Sequence, residues 1–202
     1  MFLKSLIRRL SSTNDASPVL NGSSLSTDFD CSDEEYKAAK PSAFRDYTAF
    51  CTGMEPLIEE YHRNFKIRLP RIPFTPLISV ILPVYNPEIQ RLRAAIESVK
   101  NQLYSNWELC IADDASTNAG VKLLLEQYQQ DNPNVRVVFR SENGHISHAS
   151  NSALEIASGE YIALLDHDDE LPPHALARVV DCLNEKPDAA LIYTDEDKID
   201  EN

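Results

Sequence analysis

From residue 77 onward the chain alternates between short apolar runs and stretches with helical periodicity. Residues 78–84, 107–112, 135–139, 161–165 and 189–193 are mostly apolar stretches of strand length, and the uninterrupted run at 161–165 is the pattern expected of a strand covered on both faces. Between them, residues 88–103, 121–130, 145–157 and 174–183 repeat apolar positions at helical spacing, as Leu92, Ala95, Ile96 and Val99 do in the first of these stretches. Pro87 stands where a helix tolerates proline, in its first turn. Such alternation predicts an α/β fold: a mostly parallel sheet, right-handed crossovers and helices on both faces.

Upstream the pattern changes twice. Phe44, Tyr47, Phe50, Met54, Leu57, Ile58 and Tyr61 recur at helical spacing and lead into a connector with three prolines between Arg68 and Pro76, so residues 42–76 read as a helical segment and an extended link. Residues 1–41, which include a stretch rich in Ser, Asp, Thr and Asn, read as a disordered or loosely held segment. Residues 77–202 then form the main domain. The first ten residues, taken as a helix, would be short, basic and amphipathic, suited to peripheral contact with an anionic membrane surface; the competing reading is a frayed terminus. No run has transmembrane length.

Composition narrows the chemistry. The net charge of −13 belongs to the main domain, because residues 1–76 carry ten basic and ten acidic side chains whereas residues 77–202 carry nine and twenty-two. So acidic a surface lacks the Lys and Arg that nucleic acid needs, and no nucleic-acid partner is expected. Cys31, Cys51, Cys110 and Cys182 contain no CxxC pair, which argues against a zinc site or a disulfide framework and suits a reducing, cytoplasmic compartment.

The acids gather where strands end. Asp113-Asp114, Glu142-Asn143-Gly144-His145, Asp166-His167-Asp168 and Thr194-Asp195-Glu196-Asp197 each follow a strand, and in a parallel sheet those ends share one edge, where ligands bind. Asp169 and Glu170 suit a solvated turn or helix cap, while the i, i+2 spacing of Asp166 and Asp168 can aim both carboxylates into one crevice. Oxygen ligands of this kind suit Mg²⁺ or Mn²⁺. No GxGxxG follows the first strand and no GxxxxGK[ST] occurs, so a metal on Asp166 and Asp168 is the economical way to hold a diphosphate. Asp114 could accept hydrogen bonds from the edge of a base.

Five segments in this order, residues 78–86 ending Pro83-Val84-Tyr85-Asn86, Ala112-Asp113-Asp114-Ala115-Ser116, Glu142-Asn143-Gly144-His145-Ile146-Ser147, Asn151-Ser152-Ala153-Leu154 and residues 159–169, resemble the donor half of family 2 glycosyltransferases with the Rossmann-like GT-A fold. Asn143 to Ser147 and Tyr193 to Lys198 resemble the bacterial branch that builds O-antigen, capsule and other surface polysaccharides. The resemblance implies a donor pocket lined by Pro83, Tyr85, Asn86, Asn143 and Gly144, with Asp114 on the pyrimidine. It also implies that Asp166-His167-Asp168 is a DxD motif, Asp168 binding Mg²⁺ or Mn²⁺ and Asp166 facing the ribose or the metal through water. A UDP- or dTDP-linked sugar would pass, with inversion, to a saccharide or lipid-linked acceptor at the inner face of the membrane. Relatives carry Arg before the Asn of the third helix; here Ser150 stands there, with His145 and His148 as possible substitutes. The family's acceptor half, with the catalytic base, is expected beyond Asn202, so no catalytic residue is named. A non-catalytic sugar-nucleotide-binding module is the alternative. A receiver-type signalling domain lacks its acidic pair after strand one, and a haloacid-type phosphatase lacks its DxDx[TV] there.

Overall fold

The computed structural model describes residues 7–9 and 47–194, in two compact units, one of residues 12–71 and one of residues 1–11 with 72–202. In the first unit, helix α1 runs Tyr47–Arg68. On it Tyr61 and Phe65 stack at 5.9 Å and the Arg68 guanidinium lies 5.2 Å from the Phe65 ring.

The second unit carries the sheet. Its strands are β1 (Ile7–Arg9), β2 (Ile78–Val84), β3 (Trp107–Asp113), β4 (Val135–Phe139), β5 (Tyr161–Leu164) and β6 (Leu191–Ile192). Helices α2 (Ile89–Lys100), α3 (Ala119–Asp131), α4 (His145–Glu155) and α5 (Ala175–Glu185) connect them. The spatial order is β4-β3-β2-β5-β1-β6. Strands β2 to β5 are mutually parallel where they pair, with Ile81 opposite both Cys110 and Leu164. The expected α/β architecture is therefore present.

Period-two alternation along the strands sends side chains to both faces. Ile81, Cys110, Ala112 and Ile162 pack with Ala149 and Ala153 of α4 on one face. Ile78, Val80, Leu82 and Val84, one position out of phase, are equally buried on the other. There α2 is flanked by α3, through the Tyr128 hydroxyl donating to Glu97, and by the start of α5, through Leu176 N donating to Gln102. The connector is pinned to this unit, with Phe74 exchanging two hydrogen bonds with Asn184 and the Tyr104 hydroxyl donating to Pro76 O at 2.6 Å.

Two expectations are corrected. The segment read as loosely held, or as a basic amphipathic helix over residues 1–10, contains β1, antiparallel to β5 (Arg8 opposite Ile162) and to β6 (Ile7 opposite Ile192). Its cause is the edge of β5, whose Tyr161, Ile162 and Ala163 are at most 6% exposed and whose outer N–H and C=O groups need a partner. The rest of residues 1–46 lies outside the described residues. Strand five, read as 189–193 in the parallel sheet, is two residues long and, among the described residues, pairs with β1 alone. Leu191 is 43% exposed and Tyr193 63%, so little burial supports a longer strand.

Candidate functional site

The strand order reverses at β2: the chain steps outward to β3 and β4, then returns to β5 on the other side. Such a switch point opens a crevice beyond the strand C-termini. The ladder carries each candidate segment to that edge, with Val84 opposite Asp113, Asp114 N donating to Val84 O at 2.8 Å and Leu165 N donating to Ile81 O at 3.1 Å. Asp114 and Asp166 thus leave the sheet on either side of the end of β2.

The backbone is strained at this edge. Among the described residues the non-glycine positions with positive φ are Asn86 (46°), Ala115 (60°) and His145 (63°), in the turns after β2, β3 and β4. A left-handed alanine costs about 1–2 kcal/mol, and strain of this kind concentrates where loops must present groups to a ligand. Asn86 is fixed by its neighbours: its N–H donates to Ser116 Oγ at 2.9 Å, and its Oδ1 accepts from Thr117 N at 2.8 Å and Thr117 Oγ1 at 3.2 Å. This staple ties the turn after β2 to the turn after β3 and leaves the Tyr85 ring 45% exposed. Pro83 sits inside β2, buried opposite Ala112.

Asp114 is 1% exposed. Its Oδ1 accepts from Arg140 Nε at 2.7 Å, and Gly144 N lies 3.0 Å from both carboxylate oxygens. Arg140 also donates to Ser152 Oγ at 2.6 Å and to His148 O at 3.4 Å, so one guanidinium joins β3, β4 and α4. A Cβ on Gly144 would stand 2.6 Å from Arg140 Nη2 and 2.8 Å from His148 Cβ, so this position admits glycine. Asn143 Oδ1 accepts from His145 N at 3.2 Å. Arg140 is not among the residues that the sequence singles out: position 150, within α4, carries Ser, and the charge instead reaches that helix from the end of β4. The available signal was a lone Arg amid acidic strand ends.

On the β5 side Asp166 is exposed, His167 and Asp168 are half-buried and Asp169 is buried, and Asp169 N donates to Asp166 O at 3.2 Å to close a turn. Among the described residues neither the Asp166 nor the Asp168 side chain has a hydrogen-bond or ion-pair partner, and no three His, Cys, Asp or Glu converge as a ready-made metal cage. A pair of uncommitted carboxylates fits Mg²⁺ or Mn²⁺, which bind proteins through one or two carboxylates and take further oxygens from water and phosphate. His145 and His148 are exposed at the start of α4. Asp195, Glu196 and Asp197 lie outside the described residues.

The opposite edge carries a different cluster. Glu108 on β3, 4% exposed, accepts from Ser79 Oγ at 2.7 Å, from the backbone and hydroxyl of Ser158, and from Gly159 N at 3.0 Å, and it pairs with Arg136 at 3.3 Å. Burial pushes its carboxyl up, but the bonds from Ser79 and Ser158 and the Arg136 charge outweigh that and hold it below the usual value of 4.5. Cys110 is a free thiol that burial pushes up to about 12, which leaves it unreactive. None of the described helices is long and apolar enough to cross a membrane.

Comparison with known proteins agrees with the geometry. The model of the family described as "Glycosyl transferase family 2" matches residues 79–201. The uncharacterized protein y4gI of Sinorhizobium fredii (strain NBRC 101917 / NGR234) is 61% identical over 124 residues, 61% of this chain and 14% of that protein. The O-antigen biosynthesis protein RfbC of Myxococcus xanthus is 34% identical over 161 residues, 80% of this chain and 12% of that one. The chain thus spans well under a fifth of either relative. Among solved structures, the mannosyltransferase PcManGT from Pyrobaculum calidifontis, in complex with GDP-Man and Mn²⁺, shares the fold at a TM-score of 0.50 and 24% identity, covering 67% of this chain and 42% of that one.

Proposed function

The chain belongs to glycosyltransferase family 2, and on that premise we propose that it is the donor-binding part of an enzyme that transfers a sugar from a nucleoside diphosphate to a saccharide or lipid-linked acceptor in surface-polysaccharide synthesis. The relative named for O-antigen biosynthesis supports that setting. The observation that carries the reading is the switch point, with Asp114 and the Asp166/Asp168 pair on either side of the end of β2. Two strand spacings separate them, roughly 10 Å, so a nucleotide can lie across β2 with its base toward β3 and its phosphates toward β5.

In this arrangement Tyr85 offers an exposed ring at the crevice and the Asn86 staple sets its direction. Asp114 keeps lone-pair capacity on Oδ2, since Oδ1 takes Arg140 and each carboxylate oxygen has two lone pairs. Uracil and thymine present the same ring N–H to such an acceptor, so UDP and dTDP donors both fit. Asp168, with Asp166 beside it, would hold Mg²⁺ or Mn²⁺, which supplies charge neutralisation for the departing diphosphate. Transfer proceeds with inversion, by one in-line displacement in which a carboxylate base takes the acceptor's proton.

Calorimetry with UDP and dTDP on the full chain tests this, with Mn²⁺ and with EDTA. The parent is expected to bind one or both far more tightly with Mn²⁺, and Asp168→Ala to lose that dependence. Equal Mn²⁺-dependent binding by parent and variant would remove the acid pair from the proposal.

A further inference from the structure

The acid pair lies on a short bridge between two anchors. The leading anchor is the last ladder bond of β5, Leu165 N to Ile81 O. The trailing anchor begins at Leu171, three residues beyond Asp168, and is made by α2 and its exit. Ser98 Oγ accepts from Leu171 N at 3.0 Å. Gln102 Nε2 donates to Pro172 O at 2.8 Å and lies 3.4 Å from Leu171 O and 3.1 Å from Ser98 O, while Gln102 Oε1 accepts from Leu176 N at 3.0 Å. Leu103 N donates to Pro173 O at 2.8 Å. Ser98, Gln102 and Leu171 are all at most 9% exposed.

The chemistry explains why a primary amide stands at 102. Pro172 O accepts from Ala175 N at 2.9 Å in the turn that leads into α5, and Gln102 Nε2 is a second donor to that carbonyl, tying the turn to the exit of α2. In the next turn α5 begins at Ala175 with no side-chain cap from His174, and its Leu176 N–H needs an acceptor. The glutamine amide donates and accepts at once, so one side chain reaches both Pro172 O and Leu176 N.

We infer that Gln102, assisted by Ser98, is a positioning residue for the Asp166/Asp168 pair: it fixes the far end of the bridge and so the spacing of the two carboxylates available to a divalent cation. This rests on the proposed role of those acids. Partners behind metal ligands typically change metal affinity by about 10–100-fold when lost.

Gln102→Glu keeps the size and the acceptor for Leu176 N–H and loses both donors, and its negative charge suits the start of α5. On the full chain, UDP binding is measured by calorimetry with Mn²⁺ and with EDTA, Mn²⁺ uptake with UDP from the free-ion EPR signal, and folding from circular-dichroism melting. The expected result is a folded variant whose Mn²⁺-dependent affinity falls about tenfold while binding in EDTA stays level with the parent. A folded variant whose Mn²⁺ uptake and Mn²⁺-dependent affinity match the parent overturns the inference, as does a loss that is equal with and without Mn²⁺. If Gln102→Glu does not fold, Ser98→Ala decides, with about a threefold loss expected for one hydrogen bond and an unchanged value overturning it. Asp168→Ala run alongside separates the two levels. If that variant keeps full Mn²⁺ dependence, the acid pair itself is misassigned. If it loses the dependence and Gln102→Glu does not, only the positioning role falls.

Discussion

Glu108 offers the sharpest test of how the sheet is held. Replacing it by Ala removes the acceptor for Ser79 Oγ, Ser158 N, Ser158 Oγ and Gly159 N together. Bonds to a charged group contribute about 1.5–3 kcal/mol each in isolation, but these four share one carboxylate and do not add. The Arg136 partner is 49% exposed, so its ion pair is screened and adds less than about 1 kcal/mol. Gly159 N keeps Ser79 Oγ at 2.9 Å, so the cost comes from the buried Ser79 hydroxyl and the Ser158 donors and should be about 3 kcal/mol, a large fraction of the roughly 5–15 kcal/mol that holds a domain together. Glu108→Gln keeps shape and one oxygen and should cost about 1–2 kcal/mol. The pH dependence follows from the lowered folded pKa: the stabilisation is fully present above 4.5, the value of an ordinary glutamate, and is lost as pH falls through the lower folded value. Urea unfolding followed by circular dichroism at neutral pH and at several acid values measures both. Parent stability should drop in acid more steeply than that of Glu108→Gln. An Ala variant within about 1 kcal/mol of the parent at neutral pH, or identical acid slopes for parent and Gln, would refute the account.

Two further substitutions probe the frame of the site and its opposite edge. Arg140→Ala leaves the Asp114 carboxylate, 1% exposed, with Gly144 N as its remaining partner; the cost should be about 3 kcal/mol in urea unfolding, with weaker UDP binding by calorimetry. Gly159→Ala would place a Cβ 2.6 Å from Ser79 Oγ and 2.7 Å from Leu77 O. Because backbone cannot yield there, it should cost about 1–3 kcal/mol, read as a lower melting temperature with Mn²⁺-dependent UDP binding retained at low temperature.

Strands β2, β3 and β5 were legible because they are mostly apolar and buried on both faces, β4 because Val135, Val137, Val138 and Phe139 mark a strand even though it is only partly buried, and the helices between them because their apolar positions recur at helical spacing. The acids at one edge were legible for the same reason: a parallel sheet sends its strand ends one way. What escaped was whatever depends on partners distant in sequence. Ile7-Arg8-Arg9 has no strand pattern of its own and is a strand because β5 has an edge to fill. Leu191-Ile192 is shorter than its apolar run because Leu191 and Tyr193 are exposed, and its described neighbour is β1 and not a parallel strand. Nothing in residues 112–116 reveals that Arg140 and Gly144 meet the Asp114 carboxylate from beyond β4. Gln102 looks like an unremarkable polar residue at a helix exit until Pro172 and Pro173 are placed beside it.

The insertion of β1 also bears on the order in which the molecule assembles. Arg8 pairs with Ile162 and Leu191, so β1 finds its place only once β5 and β6, far along the sequence, have been made. Until then the outer side of β5 stands open, with backbone groups able to recruit a stray strand from another molecule. A shortened polypeptide begun after these residues would keep that vulnerability permanently and should clump even though every side chain of the crevice is intact.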